Sequence, residues 1–278
     1  MAMKGLLPEG NYAACANGYR IHYLDQGAGD EVVVFLHGSG PGASGYSNFK
    51  GNYPVLVDAG YRCIVPDHIG YGFSDKPDDV DHTLDFFVQC IKQTLDEIGV
   101  SRCSLVGNSL GGVVALGMAL EHPELVDKLI LMAPGGVSEM HEYQQMPGMQ
   151  KMFQVFGAGE PVTPEVMKDL FATGLMYDPR HATDELVSER LQIMGIMNGH
   201  VMASMKIPVL VDRLHELECP VLGFWGINER MMPESGIMAL AKNVRHLQLI
   251  LMSECGHWVM VEHRDLFNRQ CLDFLQHG

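Results

Sequence analysis

The 278-residue sequence predicts an α/β fold, a mostly parallel sheet with helices on both faces, interrupted by one helical insertion. Three observations carry this reading. Short apolar runs alternate with longer stretches of helical spacing. The runs are rich in Val, Ile and Leu and bounded by Gly, Pro or Asp, as strands buried on both faces are. The alternation then stops between about Gly136 and Ile207 and resumes afterwards.

Taken in order, a hairpin over Tyr12–Asp25, turning near Asn17-Gly18, is expected to add antiparallel edge strands. Buried strands are expected at Val32–Leu36, Cys63–Val65, Ser104–Val106, Leu129–Met132, Val221–Trp225 and Leu247–Met252. Leu84–Ile98 carries Phe87, Ile91, Leu95 and Ile98 at helical spacing and meets Gly99, a suitable stop. Leu110–Leu120 and Leu266–Leu275 also read as helices. Residues 136–206 hold ten of the nineteen Met, punctuated by Pro147, Gly148, Gly157, Gly159, Pro161 and Pro164. We read 1–135 and 207–278 as two parts of one core and 136–206 as a helical lid. Its Met residues are either ordinary core or the lining of an adaptable apolar pocket.

Hydrophobic residues make up 47% and charged residues 19%, enough for a packed core. Nineteen Lys plus Arg against thirty-four Asp plus Glu leave a net charge of −15. Nucleic acid and anionic membranes are therefore unsuitable partners, although one local Arg could still meet a small anion. Apolar runs are strand-sized, far short of a membrane span. Seven Cys, odd in number and without a C-x-x-C pair, argue against a disulfide framework or a Cys-type zinc site. Met1–Gly10 lacks the build of a signal peptide, so a cytoplasmic location is expected. With no H-E-x-x-H and no dinucleotide G-x-G-x-x-G after a strand, neither metal nor cofactor is expected.

Gly107-Asn108-Ser109-Leu110-Gly111 is G-x-S-x-G, directly between a strand and a helix. A tight turn there pushes Ser109 out of the sheet, and glycines on either side let the backbones crowd. The Leu110 N–H, at a helix start, can donate to a developing oxyanion. His37-Gly38-Ser39-Gly40-Pro41-Gly42 closes an earlier strand but lacks the G-K-[ST] ending of a phosphate loop. Its expected use is the second oxyanion donor, the Ser39 N–H, with His37 a buried hydrogen-bonding residue. His257, in Cys255-Gly256-His257-Trp258, follows the last strand where chain order places a general base. Glu229 lies between nucleophile and base, on the loop after Val221–Trp225. It reads as the acid that orients His257, against the plainer reading of a surface carboxylate paired with Arg230.

These motifs, with Pro66-Asp67 through Ser74, resemble the α/β-hydrolase superfamily over nearly the whole chain. Within it the sequence is similar to the meta-cleavage-product hydrolases, which split carbon–carbon bonds in ring-opened aromatics. The similarity rests on His37–Ala43 with Ser47-Asn48, Asn108, Ala133-Pro134-Gly135-Gly136, Cys255–Trp258, and Tyr177-Asp178-Pro179 with Thr183–Leu186 and Arg190. The resemblance implies an α/β-hydrolase fold with a helical lid and cleavage of a 2-hydroxy-6-oxohexa-2,4-dienoate-type substrate. Arg190 and Asn48 would hold the substrate carboxylate. Asn108, Gly38 and Gly40 would belong to the substrate site, and the lid Met residues would pack on the distal group together with Trp258, which otherwise reads as a core aromatic behind His257. It further implies a structural Asp67 and a homodimer or higher homo-oligomer. The family usually has Asp where this chain has Glu229. Competing readings are a carboxylesterase or lactonase on the same machinery and a non-catalytic small-ligand receptor on the same fold.

Overall fold

The computed structural model describes residues 7–15, 18–157 and 161–278, so the expected turn residue Asn17 and the Gly159 break lie outside the described residues. Eight strands form one sheet: β1 (Asn11–Ala14), β2 (Arg20–Gln26), β3 (Val32–Leu36), β4 (Arg62–Pro66), β5 (Cys103–Asn108), β6 (Val126–Met132), β7 (Val221–Gly226) and β8 (Leu247–Met252). Their order is β1-β2-β4-β3-β5-β6-β7-β8. The hairpin β1–β2 is antiparallel, as is β2 against β4, and every later pairing is parallel.

Register sets where chemistry can occur. Leu36 pairs with Gly107, Asn108 with Met132, Met132 with Phe224, and Met252 with Gly226. The residues that follow β3, β5, β6, β7 and β8 therefore emerge along one edge of the sheet, where ligands bind in open α/β folds. β5 and β7 are buried along their whole length, which explains the wholly apolar sequence of β7 and the apolar centre of β5. Ladder pairing extends β5 and β6 beyond their apolar runs, since Cys103 partners Val126.

The helix Leu84–Glu97 is capped by Thr83, whose hydroxyl accepts from the Phe86 N–H, and the chain leaves it through Gly99 at φ +73°. Leu110–Glu121 is apolar all round because it lies inside the molecule, buried from Leu110 to Ala119. Arg264–His277 closes the chain.

Between β6 and β7 the chain leaves the sheet for short helices at Met140–Gln145, Pro147–Gly157, Pro164–Leu170, Asp184–Met194 and His200–Ser204. Thr163 and Thr183 cap two of them through their hydroxyls. A π-helical turn spans Phe171–Leu175. Met205–Lys206 then pairs in parallel with His82–Thr83, a small ladder that fastens the end of the insertion to the core. All seven cysteines are unpaired thiols. Among the described residues no helix is long and apolar enough to cross a membrane.

Candidate active site

Ser109 sits on the turn between β5 and the helix Leu110–Glu121, with φ +56° and ψ −114°. A side chain held in that sparsely populated region is strained, and its neighbours must hold it there. The Ser109 N–H donates to the Met132 carbonyl at 3.1 Å, and its carbonyl accepts from Gly135 at 2.9 Å. A Cβ on Gly107 would lie 2.4 Å from the Gly111 carbonyl oxygen, and one on Gly111 would lie 1.9 Å from that of Leu36. Glycine at both positions is thus a packing requirement of the turn. Leu110 is the first residue of its helix, where backbone N–H groups lack intrahelical partners.

His257 is positioned from both sides. Its N–H donates to the Leu175 carbonyl at 2.7 Å, and its Nδ1 lies 2.6 Å from Glu229 Oε2. Both side chains are 4% exposed. The other carboxylate oxygen of Glu229 accepts from the N–H groups of Arg230 (2.8 Å) and Met231 (2.6 Å). The Arg230 guanidinium donates instead to the Thr173 carbonyl, so Glu229 serves the imidazole and its own loop.

Ser109, His257, Ser39, Gly40, Leu110, Arg190 and Trp258 line one cavity of roughly 970 Å³, mouth included. Its remaining wall is mostly apolar, with Val113, Met149, Met152, Leu175 and Met232 among the contributors. Met140 and Val209 line it while remaining exposed, which places the mouth beside them. Arg190 is 1% exposed. Its guanidinium donates to Asn48 Oδ1 at 2.5 Å and to the Pro41 carbonyl at 3.5 Å, and packs 4.8 Å from the Trp258 ring and 5.5 Å from Phe171. Burial pushes its pKa down to about 9, so the cation persists at neutral pH. Among the described residues no carboxylate lies within ion-pair distance of it; the adjacent Glu189 pairs with Lys50 at 2.7 Å.

Three expected substrate contacts do not line the cavity. Asn48 stands beside Arg190 and accepts its hydrogen bond. Asn108 is fully buried, and its amide donates to the Met132 carbonyl at 3.2 Å and the His257 carbonyl at 3.5 Å. Strand alternation turns Asn108 into the protein while Ser109 emerges. Gly38 packs against both, and a Cβ there would lie 3.2 Å from the Ser109 Cβ. Trp258 lines the cavity beside Arg190 and Phe171.

His37 is buried and hydrogen-bonded, Nδ1 to the Gly38 carbonyl at 2.7 Å and Nε2 to the His68 N–H at 3.0 Å. Burial pushes its pKa down to about 4, which keeps it neutral. Asp67 is buried and accepts from His22 Nδ1, Gly45 and Phe73. Sequence reasoning missed Phe171, Tyr143 and Glu262; the first two line the cavity and the third grips the loop of His257.

Residues 31–165 match the alpha/beta hydrolase fold family. The chain is 36% identical to a 2-hydroxy-6-oxo-6-phenylhexa-2,4-dienoate hydrolase of Burkholderia cepacia, covering 94% of this chain and 92% of the relative. It is 35% identical to a 2-hydroxy-6-oxononadienedioate/2-hydroxy-6-oxononatrienedioate hydrolase of Escherichia coli K12, covering 92% and 91%. Among solved structures, a meta-cleavage product hydrolase from Pseudomonas fluorescens superposes with a TM-score of 0.82 at 28% identity, covering 96% of this chain and 98% of that one.

Proposed function

The chain belongs to the α/β-hydrolase family and, within it, to the meta-cleavage product hydrolases, and we propose on that footing that it hydrolyses a carbon–carbon bond in a 2-hydroxy-6-oxohexa-2,4-dienoate. The observation that carries this reading is Arg190, a buried cation without a carboxylate partner among the described residues, facing the same cavity as Ser109 and His257. An uncompensated buried charge is costly, and a substrate carboxylate is the natural group to neutralise it. Asn48 orients the guanidinium, and Trp258 and Phe171 cover its faces.

The chemistry follows from charge. His257 assists transfer of the enol proton to C5, which converts the dienol into a 2,6-diketone. Ser109 then attacks C6, giving its hydroxyl proton to His257, while Glu229 stabilises the imidazolium. The N–H groups of Leu110 and Ser39 receive the oxyanion, each such donor being worth about 3 kcal/mol in the transition state. As the C5–C6 bond breaks, its electron pair delocalises toward the C2 oxygen, which takes the proton from the His257 imidazolium, giving a hydroxydienoate, an acyl-serine and a neutral His257. Water, deprotonated by His257, releases the acid. The apolar, Met-rich wall accommodates the distal group, and 136–206 acts as the lid that excludes bulk solvent. The seven free thiols support a cytoplasmic setting, and the family resemblance supports a homodimer or higher assembly.

The test compares turnover of a phenyl-substituted dienoate with that of a carboxylate-free aryl ester. Preference for the dienoate, lost when Arg190 is replaced, is expected. Equal turnover of both, indifferent to Arg190, would make the protein an esterase.

A further inference from the structure

We propose that Glu262 is a positioning residue that locks the His257 loop to the inserted helices. The inference rests on the reading of His257 as the general base. Glu262 ends the short helix Val259–Glu262 that begins right after Trp258. Its Oε1 turns back to accept from the Gly256 N–H at 2.8 Å, the amide just before His257. Its Oε2 accepts from two N–H groups of the insertion, Tyr177 at 2.7 Å and Asp178 at 3.0 Å. One carboxylate thus spans two segments that are about eighty residues apart in sequence.

The spacing between those segments leaves no slack. A Cβ on Gly256 would lie 2.3 Å from the Leu175 carbonyl oxygen, the same oxygen that accepts from the His257 N–H. Leu175 closes the π-helical turn whose Phe171 packs on Trp258 and Arg190. Moving the Tyr177–Asp178 segment without Glu262 therefore drags on the His257 backbone and on both aromatic covers of Arg190. Hydrogen bonds from three backbone amides to one carboxylate are charge-assisted and are the stronger kind. Glu262 touches neither the cavity wall nor the reacting atoms, so its effect on catalysis passes through His257.

The experiment uses the full-length protein carrying Glu262→Gln and Glu262→Ala. An amide retains one acceptor oxygen but turns N–H toward N–H, so Glu262→Gln keeps the size and loses part of the clamp. The expected result is a fall in kcat of about tenfold for Glu262→Gln and more for Glu262→Ala, with KM changed less than threefold. Amide hydrogen exchange should quicken at Gly256, Tyr177 and Asp178 while β5 and β7 stay protected. Modification of Ser109 by a sulfonyl fluoride should slow in parallel. Should Glu262→Ala fail to fold, Glu262→Gln alone decides. Unchanged kcat and sulfonylation rate in Glu262→Gln overturn the proposal. The sulfonylation arm is independent of the dienoate. A protein that ignores the dienoate but is sulfonylated more slowly as Glu262→Gln refutes the substrate reading and leaves this inference standing.

Discussion

Glu229 Oε2 and His257 Nδ1 lie 2.6 Å apart, and the remaining oxygen of that carboxylate is held by the N–H groups of Arg230 and Met231. The Glu229 side chain is thereby braced along its own loop while its tip reaches the imidazole. Replacing the carboxylate by an amide keeps the shape and removes the charge that selects the tautomer. Glu229→Gln should lower kcat by about a thousandfold or more while KM stays near the parent value. Glu229→Asp cannot both reach His257 and keep the two loop amides, so a loss of roughly tenfold to a hundredfold is expected from misplacement. Steady-state kinetics on the dienoate checks both.

Arg190 should act on binding more than on chemistry. Arg190→Gln removes the cation and keeps a polar group beside Asn48. The KM for a carboxylate-bearing dienoate should rise by about tenfold to a hundredfold, the size of a charge-assisted hydrogen bond. The KM for a carboxylate-free ester should change little. Parallel saturation curves with the two substrates read this directly.

Gly107 should not tolerate even one carbon. The added methyl of Gly107→Ala would press on the backbone of Gly111, which has no soft side chain to yield. Overpacking of this kind costs about 1–3 kcal/mol, visible as a lower urea midpoint, and any folded protein should lose activity because the Ser109 turn opens.

Much of the fold was legible because its signals are local. The runs Val32–Leu36 and Leu247–Met252 are strands with those limits, and Gly99 ends its helix through a positive φ. Ser109 was legible because G-x-S-x-G combines a steric demand with a place between strand and helix. Glu229 was legible from chain order and from its place on the loop after a strand. Direction was not legible. Asn108 and Ser109 are neighbours, yet one faces the protein interior and the other the cavity, and the motif alone does not say which other residues reach the wall. The contact of Trp258 with Arg190 was not legible either, because Arg190 arrives from a helix sixty-eight residues earlier. Glu262 was invisible for the same reason, since its three amide donors belong to segments brought together only by folding.

His37 makes the protein sensitive to acid. Burial lowers its pKa from 6.5 to about 4, so the folded state prefers the neutral ring. Between pH 6.5 and 4 the unfolded chain binds the proton more readily, and stability must fall as pH falls through that window. Its share amounts to about 2 kcal/mol between pH 7 and pH 5. Urea midpoints at the two pH values should converge in His37→Gln, relative to the parent, by that share.

The most direct measurement follows the loss of dienolate absorbance with purified parent and Ser109→Ala protein, and identifies the products. The parent should yield one hydroxydienoate and one carboxylic acid per substrate consumed, and Ser109→Ala should yield neither. Undiminished product formation by Ser109→Ala would contradict the role of Ser109 as nucleophile.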